Sequence, residues 1–229
     1  MKTTRSTPLQ FFAATAALLL VASAVFAGPP LICHTFDIGS AKSLPWVSHN
    51  WNLSGSENYD TSKLASDTLA TLAADNTVIV HMETLRRATL YAREDPAAAK
   101  QLLTAITMGT KSVVRQTDQA RALTYFDTGY LAEAYKQWLG ASNNPAANLD
   151  GYALIKQAIQ LRGNDSQMEL AAALVTLSGP AYEHQAHTQK AIAGAKNDPL
   201  LARNLASHFM GNQGQTIAEM LTKTTVAEK

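Results

Sequence analysis

Apolar residues at steps of three and four run through the chain from about Thr61 onward and limit it to one kind of fold. Val78, Met82, Leu85, Thr89 and Ala92 share one face of a helix predicted from about Thr77 to Glu94, because 3.6 residues per turn bring every third and fourth side chain to the same side. Arg86, Arg87 and Arg93 then fall mostly on the other faces. Leu123, Phe126, Tyr130, Ala134 and Trp138 repeat the spacing over a long helix from Ala120 to Leu139, and Leu131 and Tyr135 widen its stripe. Tyr152, Ile155 and Ile159 mark another helix, and Leu170 to Leu177 is apolar almost all round, as an internal helix is. Ala, Leu, Gln and Lys, which lose little entropy in a helix, fill the remaining positions. An all-α fold follows.

The breaks between helices have a local chemistry. Asp95-Pro96 and Asp198-Pro199 each set a capping carboxylate before a proline at the first helical position, where the missing N–H is no loss. Asp165, after Gly163-Asn164, is a third start, with the glycine ending the preceding helix. Gly140 to Leu149 reads as the longest internal loop. Ala158-Ile159 precedes Asn164-Asp165 by the spacing at which Ala191-Ile192 precedes Asn197-Asp198, an offset of 33 residues, close to the period of roughly 34 of a helical-hairpin repeat. The segment Phe126 to Tyr135, with Gly129 where two helices can approach closely, resembles the first helix of a tetratricopeptide unit. That resemblance implies an array of antiparallel helical hairpins, an α-solenoid of tetratricopeptide-like character.

Upstream of the helices the chain changes character twice. Lys2 and Arg5, the apolar stretch Phe11 to Val21 and the Val25-Phe26-Ala27 site read as a signal peptide over residues 1–27, which places the mature chain in a periplasm or outside the cell. The apolar stretch falls short of the roughly 20 residues that span hydrocarbon, so no membrane span is expected after cleavage. Residues 28–60 are broken by Pro29-Pro30, Gly39, Pro45 and Gly55, yet carry Leu31, Ile32, Phe36, Ile38, Leu44, Trp46 and Trp51. They read as an irregular segment that docks on the helical domain, residues 61–229. The stretch Pro30-Leu31-Ile32-Cys33-His34, with Asp37-Ile38-Gly39 and Ala41 to Trp46, resembles the opening of a group of uncharacterised exported bacterial helical proteins. The resemblance implies fold and compartment, and no activity.

Charge and cysteine usage remove several functions. Of 19 basic side chains, Lys2 and Arg5 leave with the signal, so 17 face 18 acidic ones, and no surplus remains to bind a phosphate backbone. Nucleic acid is not an expected partner. Cys33 is the only cysteine, so no internal disulfide staples the fold and packing must hold it.

Cys33, His34 and His49, with Asp37 nearby, are the side-chain types that bind a transition metal, although their spacing fits no closed zinc motif. Pro30 stands where haem attachment needs a second cysteine. His34 is poorly placed as a base for Cys33, because neighbouring residues of an extended chain point to opposite sides. His184 and His187 lie three apart after Glu183 and match neither metalloprotease pattern, so a solvated helix face is expected. His81, Glu83, Arg86 and Arg87 read as surface ion pairs. No phosphate loop, nucleophile elbow or catalytic carboxylate pair is found. The expectation is therefore a noncatalytic module without cofactor that binds a protein or peptide outside the cytoplasm. The alternative is a metal- or small-ligand-binding protein using the Cys33-His34 segment.

Overall fold

A computed structural model describes residues 30–47, 53–111 and 117–210. The proposed signal peptide and His49 lie outside the described residues. Among those described there are eight α-helices and no strand. They are α1 (Leu64–Ala74), α2 (Val78–Ala92), α3 (Pro96–Lys111), α4 (Asp118–Trp138), α5 (Gly151–Arg162), α6 (Ser166–Val175), α7 (Ala181–Gly194) and α8 (Pro199–Leu205), the last running into a π-helical turn, Ala206–Met210. None is long and apolar enough to cross a membrane.

Capping carboxylates begin several of these helices. Asp95 accepts from the N–H groups of Ala97 and Ala98, Asp165 from Gln167 and Met168, and Asp198 from Leu201, each satisfying donors that a first helical turn leaves open. Gly163, at φ +70°, ends α5 in the left-handed region that glycine adopts at little cost. The 33-residue offset corresponds to the starts of α6 and α8, which lie side by side: Gln167 Nε2 donates to Asp198 Oδ2 at 2.6 Å.

The long helix α4 packs on α2, α3 and α5. Phe126, Tyr130, Leu131, Ala134 and Tyr135 on it are fully buried. Its closest neighbour is α5, and two glycines make that approach possible. A Cβ on Gly129 would stand 2.5 Å from the carbonyl oxygen of Gly151, and a Cβ on Gly151 would meet the Gly129 carbonyl as tightly.

Residues 30–47 form a strap without helix or strand that buries Leu31, Ile32, Phe36 and Leu44. It bonds to α2 between Glu83 and Tyr91, on a helix that also packs on α1, α3, α4 and α6. Fourteen of the fifteen α2 residues are buried between them. This corrects the expected surface placement of the α2 charges: Glu83 and Arg86 are 0 % exposed and His81 2 %.

Candidate binding site

Three polar clusters interrupt the apolar interior, and they differ in what they leave available to a ligand. The first locks the strap. Glu83 accepts from Arg86 Nε at 2.8 Å and Nη2 at 3.1 Å, from Arg87 Nε at 2.7 Å and from the Phe36 N–H at 3.0 Å. Arg86 Nη1 donates to the Ile32 carbonyl and Arg87 Nη1 to the Leu44 carbonyl. Tyr91 donates to the Pro45 carbonyl and accepts from the Ser56 N–H. The Trp46 ring stacks near both guanidinium groups, at 5.2 and 5.9 Å. The charges are spent on each other and on strap backbone, which is how a buried ion cluster avoids its desolvation penalty.

Cys33 and His34 sit at the edge of this lock. Burial pushes the Cys33 thiol up, against the pull of Arg86, which favours the unreactive thiol over the thiolate a nucleophile needs. The His34 ring lies 5.5 Å from that of His208, which stacks on Phe36 at 4.4 Å. His208 Nδ1 donates to the Asn204 carbonyl at 2.9 Å, and burial holds this imidazole down at about 4. Among the described residues, no three His, Cys, Asp or Glu side chains group as a metal site would require.

The second cluster pins α7. His187 bonds the Glu169 carboxylate through Nδ1 and the Tyr152 hydroxyl through Nε2, at 2.7 Å to the latter, while Lys190 donates to Glu169 at 3.0 Å. Burial would raise the Glu169 pKa, but the His187 and Lys190 bonds outweigh it and hold the carboxyl below the usual range. Burial and the Glu183 carboxylate push the Tyr152 phenol up to about 12, so it remains a donor. The side chain of His187 is 12 % exposed. The expected solvated face is therefore an interface: Glu169, alone among apolar neighbours on α6, supplies the partner.

The third cluster lines a cleft. Between α1, α3 and α4 lies a recess of about 250 Å³ walled by Leu69, Leu72, Ala105, Ile106 and Leu123, with His81 and Asp127 also lining it. His81 Nδ1 meets Asp127 Oδ1 at 2.6 Å and its Nε2 meets the Asp75 carbonyl oxygen at 2.6 Å. A carbonyl and a carboxylate only accept, so both ring nitrogens carry protons and His81 is an imidazolium. Burial opposes that charge, yet Asp127 and the Asp75 carbonyl raise the His81 pKa above its ordinary value. The second Asp127 oxygen has no other hydrogen bond among the described residues. Outside the cleft, Ala105 continues onto an exposed α3 face with Ala97 and Met108, and Met108 is 61 % and Leu69 39 % exposed.

Neither His81 nor Asp127 was singled out as a cleft residue by spacing, though a signal existed. His81 is three after Val78 and four before Leu85, and Asp127 is four after Leu123 and three before Tyr130, so each sits inside an apolar stripe. No family model, curated protein or solved structure matches the chain.

Proposed function

We propose that this chain is a noncatalytic interaction module of stacked helical hairpins that works outside the cytoplasm. Its cleft between α1, α3 and α4 would receive an anchoring side chain of a peptide or protein partner. One observation carries this: the recess is apolar-walled and open beside exposed Met108 and Leu69, the arrangement by which a groove takes an anchor residue. The ion pairs of the other two clusters are matched to groups of the fold itself, which supports a binding role for the cleft over a chemical one for those clusters.

Panning a random peptide display library against the folded chain tests it, with Ala105→Phe as the counter-target. Ala105 is only half-buried at the mouth, so a phenyl ring there should plug the recess while circular dichroism stays unchanged. Enriched peptides should share an apolar anchor and lose binding to the variant. Selection without a shared anchor, or binding indifferent to the plug, refutes the proposal.

A further inference from the structure

The chemistry at the floor of the cleft narrows the kind of anchor it takes, an inference that rests on the interaction role proposed above. We propose that the occupant is an aromatic side chain with one neutral hydrogen-bond donor, the indole of a partner tryptophan. Three features lead there. At about 250 Å³ the recess lies below the range of roughly 300–1,000 Å³ typical of whole small-molecule sites, so it is sized for one side chain. Its walls are mostly Leu, Ile and Ala, with Gly109 and, besides the His81–Asp127 pair, the polar Asn76 and Thr124, which favours a flat, largely apolar body over a branched polar one. Its polar floor is the His81–Asp127 pair, whose net charge is zero wherever the shared proton sits.

That neutrality discriminates among anchors. A lysine or arginine head would bring an unbalanced positive charge against mostly apolar walls, and a carboxylate would face Asp127 directly. A leucine or phenylalanine would fill the volume but strip water from the second Asp127 oxygen without replacing its hydrogen bond. An indole buries its rings against Leu69, Ile106 and Leu123 and offers an N–H that only donates, matching a carboxylate that only accepts.

The test keeps the protein unaltered and changes the ligand. 3-Methylindole and 1,3-dimethylindole differ only at the ring nitrogen, which is N–H in the first and N–CH3 in the second, and each is titrated into the full chain while amide NMR shifts are followed at Gly109 and Ala105. The expected result is one saturable site for 3-methylindole, about tenfold or more weaker binding of 1,3-dimethylindole, and loss of both with Ala105→Phe. Equal affinity for the two ligands, no saturable binding of 3-methylindole, or binding that survives the plug overturns the inference. The outcomes separate the two proposals. Equal affinity abolished by the plug removes the donor requirement and leaves the interaction role standing, whereas indole binding without any cleft-dependent peptide removes the interaction role, and with it the partner tryptophan, and leaves only an indole-binding recess.

Discussion

Replacing Glu83 by glutamine should release the strap. The glutamine keeps the shape but removes the charge that Arg86 and Arg87 share, leaving a guanidinium that is 0 % exposed without a counter-ion. Breaking one side of a buried ion pair costs about 3–5 kcal/mol, out of a total stability of roughly 5–15 kcal/mol for a domain. At about 2–4 °C per kcal/mol for a chain of this size, the melting temperature should fall by about 6–20 °C. Glu94→Gln, at a side chain 86 % exposed in the turn after α2, should leave it unchanged. Thermal circular dichroism gives the first number. The second comes from Cys33, the only thiol, which is half-buried in the strap. Its labelling by a disulfide reagent should accelerate about tenfold or more, since every 1.4 kcal/mol removed from local opening is a factor of ten. A Glu83→Gln chain that melts within about 2 °C of the wild type and labels at the same rate would show that the buried charges do not hold the strap, and the reasoning would fail.

The two glycines between α4 and α5 should resist replacement. Gly129→Ala sets a methyl group against a backbone carbonyl and should destabilise by about 1–3 kcal/mol in urea titration, despite the better helix propensity of alanine; a neutral or stabilising result would refute the close approach. Asp198→Ala removes the α8 cap and the acceptor of Gln167, for a loss of about 1 kcal/mol by the same assay. Two histidines predict opposite pH limits. The His81 pKa is raised on folding, so its contribution is complete below the ordinary imidazole value and is lost as pH rises through the folded one; Asp127→Asn should flatten that alkaline slope. His208 is held at about 4, so stability falls as pH drops from about 6.5 towards 4, by up to about 3 kcal/mol. A His208→Gln chain that shows the same acid slope as the wild type would refute this assignment.

The helices were legible because their signals are local. Apolar spacing marks the stripe of α4 from Leu123 to Trp138, and the aspartates at 95, 165 and 198 act on donors two or three residues away. Gly129 was legible as a site of close approach, but its partner Gly151 was not, because pairing of α4 with α5 depends on a loop whose path no periodicity records. The long-range polar pairs were hidden for the same reason. Glu169 and His187 are 18 residues apart, and His81 and Asp127 are 46 apart, so even where an apolar stripe marks His81 and Asp127 for burial, the partner of each half stays hidden until the helices meet.

The α2 charges were misplaced for a deeper reason. A helix face carrying Glu83, Arg86 and Arg87 is read as solvated because water is the usual partner of charge. Here the partner is unpaired backbone. The strap, broken by prolines and glycines, has no helix or sheet to satisfy its own N–H and C=O groups once Leu31, Ile32, Phe36 and Leu44 are buried, and such groups cannot be left without partners. Glu83 accepts from the Phe36 N–H, Arg86 donates to Ile32, Arg87 to Leu44 and Tyr91 to Pro45. The charged side of α2 thus takes the place of a neighbouring strand, and the two puzzles of the sequence resolve each other: an apolar segment that cannot form regular structure, and a buried helix with too many charges.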